Sequence, residues 1–97
     1  MNRSEVLQLL AKNNAALGDR FGLVSLALFG STARDAAGSH SDIDILVSFD
    51  GPATSDRYYF GVQFVLEDLL GRPVDLVTDK ALQPELRLFI ELEAVYV

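Results

Sequence analysis

The sequence predicts one α/β domain, a mixed sheet of about four strands with helices mainly on one face. Three observations predict it. Helical and strand periodicities follow one another along the chain in the order αβαβαβαβ, with no internal repeat. One stretch, Asp42 to Phe49, alternates apolar and polar side chains, the pattern of a strand covered on one side only. The chain has 97 residues, 49% of them hydrophobic, which is enough for one core and leaves no room for a second substrate-binding domain.

The elements follow in order. Asn2, with Glu5 three positions on, reads as a capping box, and Val6, Leu7, Leu10 and Leu17 recur at helical spacing. Gly18 is the expected stop. Leu23 to Phe29 (LVSLALF) is short, apolar and bounded by glycines, as a buried strand should be. Thr32 to Ala37 predicts one or two helical turns ending at Gly38. In the next strand Ile43, Ile45, Val47 and Phe49 share one face, while Asp42, Asp44, Leu46 and Ser48 share the other. After the turn Asp50-Gly51-Pro52, Thr54 or Ser55 is expected to cap a helix reaching about Leu70. Its inward stripe is Tyr59, Val62, Leu66 and Leu69 or Leu70, with Gly71 as the C-cap and both Tyr58 and Tyr59 read as helix packing. Pro73 to Thr78 is a third strand. Asp50 and Asp79 read as turn residues. Pro84 opens a last helix with Leu86, Phe89 and Ile90 as its apolar positions, and Ala94 to Val97 is a terminal strand.

Composition narrows the function classes. There are 14 acidic and 8 basic residues, a net charge of −6, so the body repels phosphate backbones and a nucleic-acid partner is disfavoured. No apolar run approaches the length of a bilayer span, and the N-terminus lacks the apolar core of a signal peptide; a cytoplasmic protein is expected. With no cysteine and one histidine, His40, thiolate zinc sites, cysteine nucleophiles and histidine-rich metal sites are excluded. His40 itself reads as an exposed loop residue.

Three features carry chemistry. Asp42 and Asp44 stand two apart on a strand, so their carboxylates project from one face with Cα atoms about 6.5 Å apart. At an effective dielectric near 20, two such charges about 4 Å apart repel by roughly 4 kcal/mol, a term that a hard divalent cation reverses. Asp75 interrupts the apolar strand Val74-Asp75-Leu76-Val77, where a charge is costly unless it faces a site or guards a sheet edge. The turn Phe29-Gly30-Ser31-Thr32 leaves a strand and opens a short helix, offering free N–H groups to an anion. Gly30 permits close approach, Ser31 adds a hydroxyl, and Arg34 reads equally as a phosphate contact or as a surface partner for Asp35 or Asp42.

Taken together, Gly30-Ser31-Thr32-Ala33-Arg34, Ser41-Asp42-Ile43-Asp44-Ile45 and Val74-Asp75-Leu76-Val77 resemble the signature of the polymerase-β-like nucleotidyltransferase superfamily. The likeness is strongest to its minimal nucleotidyltransferases and covers residues 1–97 as a single domain. The resemblance implies two Mg²⁺ ions on Asp42, Asp44 and Asp75, and an ATP triphosphate on Gly30 and Ser31 with Arg34 near it. It also gives Asp75 a part in deprotonating the attacking hydroxyl. Such proteins are commonly antitoxins paired with a HEPN-domain ribonuclease toxin, some of which adenylylate a tyrosine of that toxin. A hetero-oligomer with such a toxin is therefore expected, either as an enzyme that modifies it or as a module that neutralises it by binding alone. One residue departs from the pattern: where glycine commonly follows the arginine, this chain has Asp35, a carboxylate expected beside the triphosphate turn.

Overall fold

The computed structural model describes residues 1–36 and 41–97. The elements are helix α1 (Arg3–Phe21), strand β1 (Leu23–Phe29), helix α2 (Gly30–Ala33), strand β2 (Ile43–Phe49), helix α3 (Pro52–Leu70), strand β3 (Val74–Thr78), helix α4 (Pro84–Glu93) and strand β4 (Val95–Tyr96). The strands form one mixed sheet in the order β3-β2-β1-β4. β1 runs antiparallel to β2 and β4, whereas β2 and β3 are parallel, joined by the crossover helix α3.

The predicted alternation of β2 decides the layering. Ile43, Ile45, Val47 and Phe49 are buried with Leu26 and Leu28 of β1 and Val74 and Leu76 of β3. Over them pack Val6, Leu10 and Leu17 of α1 and Val62, Leu66 and Leu70 of α3. This is the main core, and the two long helices lie on its side of the sheet. On the other side a smaller cluster of Ala27, Phe29 and Leu46 is covered by Leu82, Ile90 and Ala94. Helix α4 thus touches the open face only near its C-terminal end.

The capping box at Asn2 and Glu5 forms as expected. The stop does not fall at Gly18. Helix α1 continues through Phe21, which is buried and meets Tyr58 of α3 edge-on with ring centres 5.6 Å apart, and it ends at Gly22 in the left-handed region. Core packing thus carries the helix one turn past the first glycine. Helix α3 starts earlier than Thr54, at Pro52, because proline at the first helical position arrives with its φ already set and needs no side-chain cap. Helix α2 is shorter than predicted, and Ala37, Gly38 and His40 lie outside the described residues. In α4 the predicted inward positions Leu86 and Phe89 are exposed, along with Leu88 and Leu92, while Ile90 is half-buried. Among the described residues only the last turn of α4 packs on the sheet, and its first turns stay exposed.

Strand β3 lies at a sheet edge, and α3 covers that edge with side chains spaced four apart. Tyr59 donates its hydroxyl to the Leu76 carbonyl, the Gln63 amide donates to the Val74 carbonyl at 3.1 Å, and the Val74 N–H donates to Glu67 at 2.9 Å. These bonds satisfy backbone groups that an edge strand would otherwise leave open, and they fix the height of β3 beside β2.

Candidate functional site

Register brings the carboxylates together. Asp44 is the direct partner of Asp75 across the parallel β2–β3 pair and of Phe29 across the antiparallel β1–β2 pair. Both aspartates therefore point to the open face, opposite the main core. Asp42 stands exposed just ahead of β2, where the Ile43 N–H donates to the Pro73 carbonyl at 3.0 Å and Arg72 donates to the Ser41 carbonyl. The charge on Asp75 is thus at once on an edge strand and inside the cluster that the sequence picked out.

The turn after β1 closes the site from the other side. Gly30 has φ +72, and a Cβ built on it would stand 2.1 Å from Oδ2 of Asp44. No other residue fits: the left-handed backbone favours glycine, and the Asp44 carboxylate occupies the space a side chain would need. Ser31 follows, half-buried, and Thr32 is buried beneath the turn. The Asp44 carboxyl is pushed up from its ordinary value near 3.8 to about 6. Burial is the largest cause, followed by the charge of Asp75, a side-chain hydrogen bond shared with Asp75, and the charges of Asp42 and Glu93. Burial and the converging negative charges both disfavour the ionised form.

Three residues make contacts other than those expected. Arg34 pairs with neither Asp35 nor Asp42; its guanidinium lies 2.8 Å from Oε1 of Glu93 at the end of α4. The Gly30 N–H, predicted to be open to an anion, donates to that same oxygen at 2.6 Å. Glu93 was not among the residues the sequence singled out. One signal was present: an acidic residue ending a helix opposes the helix dipole and implies a partner. Asp35, in turn, adopts φ +58, which explains why glycine suits that position, and its carboxylate accepts from the Arg3 N–H at 3.3 Å. The carboxylate expected beside the triphosphate turn is instead engaged with the first turn of α1.

Among the described residues no three carboxylate or imidazole groups stand close enough to form a ready-made metal cage. The donor set still fits a hard divalent cation. It is all oxygen, and the repulsion that raises Asp44 has the sign that a cation removes. The carboxylates converge without closing, the arrangement of a site whose remaining ligands come from waters and substrate phosphates. A separate hollow lined by Phe49, Pro52, Ser55 and Thr78 lies at the far end of β2 and shares none of these residues.

The sequence model of the nucleotidyltransferase domain matches residues 10–97. The chain belongs to the nucleotidyltransferase domain family. A Methanocaldococcus jannaschii protein provisionally named a protein adenylyltransferase is 40% identical over 98 residues, covering 97% of this chain and 96% of its own length. The protein adenylyltransferase MntA of Thermococcus cleftensis is 36% identical over 93 residues, covering 96% and 93%. A solved structure provisionally described as a minimal nucleotidyltransferase superposes with a TM-score of 0.78 at 35% identity, covering 98% of this chain and 95% of that one. A complex of a tri-AMPylated Shewanella oneidensis HEPN toxin with an MNT antitoxin shares the fold at a TM-score of 0.54 and 21% identity, covering 98% and 67%. The mixed sheet and helices expected of a nucleotidyltransferase fold are therefore present throughout.

Proposed function

We propose that this nucleotidyltransferase domain moves AMP from ATP to a hydroxyl, that of a tyrosine on a HEPN ribonuclease toxin, and so serves as the antitoxin of that partner. The observation that carries the reading is the juxtaposition of Asp44 and Asp75 across β2 and β3, facing a glycine turn that a single methyl group would block. In this reading Gly30 and Ser31 receive the triphosphate and Arg34 approaches it. Asp42, Asp44 and Asp75 would hold two Mg²⁺ ions. The ions, when bound, offset the charge of the triphosphate and of the transition state.

Asp75 is exposed on the edge strand, where an acceptor hydroxyl from another protein can reach it. Its role is to take the hydroxyl proton as the oxygen attacks the α-phosphorus, one P–O bond forming while the α–β bridge breaks and pyrophosphate leaves. The 97 residues are taken up by one small domain, and an acceptor that brings its own recognition surface suits it. A protein does that, and a net charge of −6 suits a basic, RNA-cutting partner. The relatives named protein adenylyltransferase, and the toxin complex that shares the fold, support the same acceptor class. With the Asp35 carboxylate engaged at α1, the chief sequence argument for a lost activity weakens.

Stoichiometry is the test. A small molar fraction of the chain, given ATP and Mg²⁺, should silence an excess of toxin and leave the mass of AMP on it, and Asp42→Asn, Asp44→Asn and Asp75→Asn should lose that effect while still docking. An unmodified toxin, fully neutralised by the triple variant at equal molar ratio, would replace the enzyme with a module that acts by binding alone.

A further inference from the structure

Glu93 is held by the two groups that the nucleotide reading assigns to a triphosphate. Its Oε1 accepts from the Gly30 N–H at 2.6 Å and from Nη1 of Arg34 at 2.8 Å, with the side chain about four-fifths buried at 21% exposure. The placement is electrostatically poor. The carboxylate adds a further negative charge beside Asp44, on which Asp75 and Asp42 already act, and it stands at the C-terminal end of α4, where the helix dipole is itself negative. What offsets this is the pair of donors, one backbone amide and one guanidinium, converging on a single oxygen. Two donors that hold a carboxylate against so much negative charge form a receptor for anionic oxygen. The receptor is filled from within the chain.

From this we infer that Glu93 is the resident anion of the phosphate turn: it occupies the Gly30 amide and Arg34 until a nucleoside triphosphate takes them over, and that exchange sets nucleotide affinity. The inference rests on the proposal that the turn binds a triphosphate. Glu93 acts here as a positioning residue. It keeps the turn formed in the absence of nucleotide, and it withdraws when phosphate oxygens, with more charge and more acceptors, claim the same donors. Ile90 and Ala94 on either side of it hold this end of α4 on the sheet, so the exchange calls for a change of the Glu93 side-chain rotamer and no movement of the helix.

The test is equilibrium binding of ATP with Mg²⁺ to the full chain, by calorimetry, in a double-mutant cycle. Glu93→Gln keeps an acceptor for the Gly30 amide but removes the charge, and should bind ATP about tenfold more tightly, as loss of a partly screened negative charge beside the triphosphate predicts. Arg34→Gln should weaken binding, and in that background Glu93→Gln should gain much less, because there is no guanidinium to release. Glu93→Asp, too short to hold both donors, should shift affinity in the same direction as Glu93→Gln and serves if the glutamine variant fails to fold. Binding by the parent chain with unchanged or weakened binding in folded Glu93 variants would overturn the inference and make Glu93 a fixed strut, leaving the proposed function intact. No ATP binding by the parent or by any Glu93 variant would overturn the nucleotide reading and this inference with it. Binding by Glu93→Gln alone would support both.

Discussion

The two faces of strand β2 show opposite uses of the same backbone. On one side Ile43, Ile45, Val47 and Phe49 lie under α1 and α3 in a closed apolar core. On the other, Asp44 is pressed against Gly30 and Asp75, and Leu46, the next residue of β2 on that face, is roofed by the end of α4. Residues one position apart thus serve folding and chemistry, because successive side chains of a strand point to opposite sides. The difference teaches that the core face supplies the stability against which the carboxylate face is held in an arrangement it would not choose alone.

The comparison breaks most visibly on the core side. Leu66 of α3 is fully buried, and Leu66→Ala should destabilise the domain by about 2–5 kcal/mol through lost burial and a residual cavity. Urea unfolding measures it. A loss of under about 1 kcal/mol would mean that α3 is not the roof of the core that its packing implies.

On the carboxylate face the sign reverses. The folded chain holds the Asp44 proton at a pKa of about 6 against an ordinary 3.8, so Asp44 costs stability above pH 6, and the cost fades as pH falls through 6 towards 4. Asp44→Asn should therefore raise stability at pH 7 without metal, by about 1 kcal/mol once solvent screening of this partly exposed group is allowed for. The gain over the parent should close near pH 4. Unfolding curves at both pH values decide it, and a variant no more stable at pH 7 would remove the repulsion argued for this face.

The smallest effect belongs to the outer side of α4. Phe89 is 70% exposed, and Phe89→Ser should change the stability of the isolated chain by less than about 0.5 kcal/mol. A thermal melt with a large loss would place α4 against the body and restore the inward role that its periodicity first implied.

Much of this was legible in the sequence. The capping box, β1 from Leu23 to Phe29, the alternation of β2 and the proline start of α4 all follow from local rules, since caps, turn residues and side-chain period are set by near neighbours, whereas the grouping of Gly30 with the aspartates rested on the resemblance to a family. What sequence reading lacked were contacts that join distant parts of the chain. Helix α1 runs past Gly18 because Phe21 meets Tyr58 of α3, and Leu86 and Phe89 stay exposed because α4 packs on the sheet only around Ile90 and Ala94. Nothing local linked Asp35 to Arg3 or Glu93 to Gly30 and Arg34. The sequence by itself determined the elements, the side of β2 that faces the core and the residues able to carry phosphoryl chemistry, because periodicity and residue type are written along the chain. Only the tertiary structure decided that Asp44 would meet Asp75 in register and that a carboxylate from the last helix would fill the phosphate turn. Strand order and helix docking are settled by what packs across the whole domain.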